Sequence, residues 1–182
     1  MTHRYIAHVA VTALSVLALA HVALAAQQHP PMPPGMTHEE HLAQMAKEAE
    51  MKKRGAIAMG FDQDTTTHHF RLLADGGAIE VGVNDAADSN TRQQIRTHLE
   101  EIAKEFAQGT FDKPFATHGE VPPGVEAMQR LKERIAYAFE PTDAGGRVRI
   151  TTSDAAARQA IHEFLIYQIK EHATGDPLTV QR

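Results

Sequence analysis

Residues 68–109, HHFRLLADGGAIEVGVNDAADSNTRQQIRTHLEEIAKEFAQG, and residues 137–175, YAFEPTDAGGRVRITTSDAAARQAIHEFLIYQIKEHATG, are one passage written twice. Phe70 matches Phe139, Gly76-Gly77 matches Gly145-Gly146, and Asp85-Ala86-Ala87 matches Asp154-Ala155-Ala156. Leaving out Asp88 to Asn90 then brings Arg92-Gln93 onto Arg158-Gln159, Ile95 onto Ile161 and Leu99 onto Leu165. Lys104-Glu105 falls on Lys170-Glu171 and Gly109 on Gly175. A single gap aligns all of these, so duplication governs the fold.

Each copy carries the same local signals. In the first, His68, Phe70 and Leu72 alternate as one face of a strand, Asp75-Gly76-Gly77 offers the positive φ angles of a hairpin, and Ile79, Val81 and Val83 return. Asp85 is a cap or turn residue before a helix whose buried face is Ile95, Leu99, Ile102 and Phe106. In the second, Ile135, Tyr137 and Phe139, then Val148 and Ile150, form the hairpin, and Ile161, Phe164, Leu165 and Ile169 mark the helix. Gly109 and Gly175 are expected to end the two helices in the left-handed conformation.

A hairpin plus one helix buries too little to stand alone. The expectation is therefore an α+β fold of duplicated ββα units: a four-stranded antiparallel sheet with two long helices on one face, related by a pseudo-twofold axis. The first repeat spans about 65–109 and the second about 135–176, joined by a linker over 110–134 in which Pro122-Pro123-Gly124 opens a short helix with Val125, Met128 and Leu131 facing inward.

Upstream of the duplicated domain (61–182), residues 1–26 read as a cleavable secretory signal. Arg4 gives the positive end, an apolar run goes from Val9 to Ala20, and Ala23-Leu24-Ala25 supplies the small-x-small cleavage pattern. His8 and His21 interrupt the run, which is short for a span of roughly 20 apolar residues; an uncleaved tether is the alternative. Export to the periplasm or beyond follows, with no membrane contact after cleavage. Residues 27–60 form a leader and helix: QQHPPMPPGM is too rich in proline for regular structure, and Thr37-His38-Glu39-Glu40 fits a capping box for a helix running to about Arg54 and stopping at Gly55. Its apolar stripe, Leu42, Met45, Ala46 and Ala49, is thin, which places it on the domain surface.

Composition narrows the chemistry. The chain of 182 residues has no cysteine, which removes disulfides, thiolate metal sites and covalent haem attachment. A net charge of -5 argues against a nucleic-acid partner. Twelve histidines are many, and they suggest ligand chemistry. His38, His41 and Met45 lie at i, i+3 and i+7 behind the Pro-rich segment with His29, Met32 and Met36. Imidazole with thioether suits copper, Cu(I) above all, and the arm reads either as a copper collector or as a plain tether. His68 sits on the apolar face of its strand, so a hydrogen-bonded core residue is one reading, while His69 points the other way.

By the repeat, His68 corresponds to Tyr137, His98 to Phe164 and His172 to Phe106. Histidines thus stand where the sister copy keeps aromatic rings, which places them on inward faces, either as core residues or as a metal or haem cluster. His118, in Thr117-His118-Gly119, reads as an accessible loop residue able to offer an open coordination position, and His162, opposite Arg96, reads as a surface residue. The candidate metal ligands are accordingly His38, His41, Met45, His68, His98, His118 and His172. No Gly-x-Ser-x-Gly or His-Glu-x-x-His motif and no phosphate loop is present.

Over Met59 to Phe70, MGFDQDTTTHHF, and again over Ile161 to Leu165 and His172 to Pro177, the chain resembles a family of short exported uncharacterised bacterial proteins, along about Met36 to Pro177. Some members carry the label aspartate carbamoyltransferase. That enzyme is longer, cytoplasmic and doubly wound, with a Ser-Thr-Arg-Thr-type phosphate loop that nothing here matches, so the resemblance implies export and no residue roles. The expected function is an exported, soluble copper-handling protein using His and Met ligands. The alternatives are a binding module for haem or a small organic ligand, an enzyme without an identifiable nucleophile, and a structural protein with core histidines. A homodimer is left open.

Overall fold

The computed structural model describes residues 32–181; the signal segment and the leader as far as residue 31, His29 included, lie outside the described residues. Among the described residues nine α-helices and β-strands follow one another: α1 (His38–Met59), β1 (Thr66–Leu73), β2 (Gly76–Val83), α2 (Ser89–Gln108), α3 (Asp112–His118), α4 (Val125–Arg130), β3 (Ala136–Pro141), β4 (Gly145–Thr151) and α5 (Ala155–Glu171). The four strands form one antiparallel sheet in the order β1-β2-β4-β3. The two hairpins meet along β2 and β4, where Ile79 lies opposite Val148, its own counterpart in the repeat. The pseudo-twofold axis passes through that pair.

Each long helix packs on the other copy's hairpin: α2 lies against β3 and β4, and α5 against β1 and β2. The exchange is visible in single residues. Arg96 on α2 donates to the carbonyls of Thr142 (2.7 Å) and Gly145 (2.9 Å) at the second hairpin turn. Its counterpart His162 on α5 donates from Nε2 to the carbonyls of Leu73 (3.0 Å) and Gly76 (2.9 Å), the equivalent positions of the first turn. His162 is thus a half-buried hairpin clamp rather than a surface residue. Gly77 is bare because a Cβ there would stand 2.2 Å from Leu165 Cδ1. The sheet and helices enclose the core predicted from the apolar spacing, with Ile95, Leu99, Phe106, Val148, Ile150, Ile161, Phe164 and Leu165 at most 1 % exposed.

Three features differ from expectation. α1 has the predicted capping box, Thr37 with Glu40, yet it continues through Gly55 to Met59 and ends on Gly60, whose φ of 80° closes it. Gly55 does not stop the helix: it lies against the end of the Gln63 side chain, which a Cβ there would push aside. Packing on α3 turns His41, Met51 and Gly55 inward and leaves Leu42, Ala46 and Ala49 exposed. In the first repeat Asp85 takes the turn role of the two expected for it, and Asp88, in the three extra residues, caps α2. The linker contains a second helix, α3, ahead of α4. Finally, α5 stops at Glu171 with His172 as its cap, short of Gly175, because the chain leaves to bond the edge of β1. No helix among the described residues is long and apolar enough to cross a membrane.

Candidate functional site

Four histidines reach one space from four elements. His68 comes from β1, His98 from the middle of α2, His118 from the last turn of α3, and His172 from the cap of α5. They line a cavity of about 70 Å³ whose remaining wall is largely apolar and includes Phe70, Val81, Ile102, Phe106, Phe164 and Met59. The rings touch. His172 stacks on His68 (centroids 5.7 Å apart, planes at 9°) and meets His118 edge-on at 5.2 Å. Phe70 lies 5.5 Å from His172, and Phe61 bridges His68 and His98 at 6.2 and 5.6 Å.

Burial governs the charge of these rings. It pushes His68 down to about 4, helped by His69, and His98 to about 4, helped by Lys113 and His68. His172 falls to about 3 through burial and the nearness of His68 and His118. His118 is lowered by burial against the opposing bond from Gln168 and the pull of Glu171 and Glu120. All four are neutral imidazoles at neutral pH, each keeping one lone pair for a metal or a donor.

Several polar atoms at this wall lack partners. With the Gln168 amide as placed, His118 Nε2 donates to Gln168 Oε1 at 3.0 Å, which leaves the lone pair on His118 Nδ1. That nitrogen, His68 Nε2 and Gln168 Nε2 are all buried without a hydrogen-bond partner. Leaving such a group unpaired costs about 1–3 kcal/mol, and three of them meet at this wall. His68 is therefore not the hydrogen-bonded core residue that its strand position suggested.

The candidate ligands fall into two groups. His68, His98, His118 and His172 converge, as the repeat implied for three of them. His118 does so from a helix and at 8 % exposure, not from an accessible loop. His38, His41 and Met45 are not in the cavity wall: His38 is exposed, Met45 half-buried, and His41 buried. Among the described residues no three of His, Cys, Asp or Glu are placed to hold one metal ion.

Sequence reasoning missed Met59 and Gln168. Gln168 replaces Ile102 of the first copy, the same apolar-to-polar exchange that singled out the histidines. Helix α3 was missed as well, although Asp112-Lys113-Pro114, an acid and a proline at a helix start, and Gly119 as a left-handed cap were signals for it. Compared with known protein families, with curated proteins and with solved structures, the chain finds no match in any of the three.

Proposed function

We propose that the chain is an exported copper-handling protein whose site is this imidazole-walled cavity. One observation carries the reading: four neutral histidines from separate elements face one small apolar space, and two of them keep buried nitrogens without partners. Two imidazoles bound to one ion through bonds of about 2 Å put their ring centroids about 5 Å apart, and the His118–His172 spacing of 5.2 Å is of that size. The candidate donors are two imidazoles, His172 with either neighbouring ring, and Met59, the one thioether in the cavity wall. Soft, low-coordinate Cu(I) suits that set better than zinc, which takes four ligands. The export reading rests on the amino-terminal pattern and the family resemblance.

The largely apolar wall favours a second reading, a small organic molecule with one or two polar atoms. Haem needs far more room than about 70 Å³. Titration of protein lacking the signal with Cu(I), against a competing chelator, tests the first reading. One equivalent bound below micromolar, weakened by His172→Ala and by Met59→Leu, is the expected result. No stoichiometric binding overturns it and leaves the organic ligand to be sought by denaturation screening.

A further inference from the structure

The second repeat departs from the first at the end of its helix, and the departure is held in place by one carboxylate. Where α2 continues past Phe106 to Gln108, α5 stops so that His172 becomes its cap. The next residue, Ala173, has φ 49°, the sole positive φ outside glycine among the described residues; such backbone persists only where its surroundings fix it. Asp176 supplies the fixing. Its side chain is 8 % exposed. Oδ2 accepts from the Phe70 backbone N–H at 2.9 Å and from the Thr174 hydroxyl at 2.7 Å, and Oδ1 accepts from His69 Nδ1–H at 2.9 Å. Further on, the Gln181 N–H donates to the Leu72 carbonyl at 2.8 Å. The segment thus closes the open edge of β1, directly behind the strand residues that flank the cavity.

We propose that Asp176 is a positioning residue for the site: it straps residues 173–181 to β1 and so holds the His172 ring against His68 and Phe70. The proposal rests on the cavity being the binding site, and it gives His69 a part as the strap's anchor on the opposite face of the sheet. Outer groups of this kind orient metal-binding imidazoles, and their loss lowers metal affinity about 10–100-fold.

The test compares the wild type with Asp176→Ala, Asp176→Asn and, as a control, Arg134→Ala, which removes only an ion pair at the far end of α5. Two readouts are taken: nuclear Overhauser contacts between the His172 and Phe70 rings in metal-free protein, and Cu(I) affinity with the imidazole count from X-ray absorption. Asp176→Ala should lose the ring contacts, at least tenfold in affinity and one imidazole from the coordination shell. Asp176→Asn, which keeps an acceptor for Phe70, should show a smaller loss and serves if the alanine variant fails to fold. Arg134→Ala should match the wild type. Unchanged ring contacts in both Asp176 variants overturn the proposal. If the wild type binds no Cu(I), the copper reading fails and the strap stands or falls on the ring contacts alone.

Discussion

Where the first copy of the repeat places His68 and His98, the second places Tyr137 and Phe164, and where the second places His172 the first places Phe106. The strands and helices correspond, apart from the earlier end of α5 at His172; the filling does not. Phe106, Phe164 and Tyr137, joined by Phe111, form a close aromatic cluster, with Phe106 4.2 Å from Phe111, 5.9 Å from Phe164 and 5.8 Å from Tyr137. The histidine group adjoins it, with Phe106 and Phe164 shared in the cavity wall, yet leaves open space and buried nitrogens without partners. Imidazole at a position that accepts a phenyl ring is a poor choice for stability, because a buried polar group without a partner is unfavourable. Within one molecule the phenylalanines of that cluster show what the same fold does at two of these positions when packing decides, although Tyr137 Oη, like His68 Nε2, is buried without a partner.

The largest expected contrast is in truncation. Phe106→Ala should lower stability by about 3–5 kcal/mol, whereas His172→Ala, at the equivalent place beside an existing cavity, should cost no more than about 1–2 kcal/mol. Urea denaturation of the two variants checks this, and equal losses would erase the distinction. Acid comes next. The folded values of His68, His98 and His172 lie below the ordinary 6.5, so the unfolded chain takes up protons first. Their contribution is complete above pH about 6.5 and is lost as pH falls toward 4, at no more than about 1.4 kcal/mol per pH unit for each group. Replacing the three rings by those of the sister copy, His68→Tyr, His98→Phe and His172→Phe, should flatten urea midpoints between pH 6.5 and 4.5, and an undiminished slope would mean that the acid sensitivity lies elsewhere.

The clamps offer a smaller, paired test. Arg96→Ala should cost about 2 kcal/mol and His162→Ala about 1 kcal/mol, since a charged donor loses more than a neutral one. A neutral outcome for both would break the helix exchange as an energetic statement. Smallest is a gain: His98→Phe alone should raise stability by about 1 kcal/mol by removing a buried polar ring, read as a higher urea midpoint at pH 7.

Much of this was written in the sequence because duplication checks itself. The two Gly-Gly pairs, the alternation around Phe70 and Phe139, and the spacing of Leu99 and Leu165 report the same element twice, so the sheet and its two helices were legible. The histidine exchange was legible for the same reason. What escaped lay outside the repeat or depended on contacts distant in sequence. Gly55 looked like a helix stop because its neighbour Gln63 was not in view. α3, which carries His118, has no sister copy. Asp176 ends α5 early through bonds to Phe70 and His69, about a hundred residues upstream, which no local pattern announces. Met59 joined the cavity only because α1 runs past its apparent end.

The central claim is that the imidazoles at the unequal positions make the binding site. Cu(I) titration of the wild type beside the His68→Tyr, His98→Phe, His172→Phe variant tests it most directly. The account predicts one equivalent bound by the wild type and none by a variant that remains folded; equal binding by both would place the copper elsewhere and contradict it.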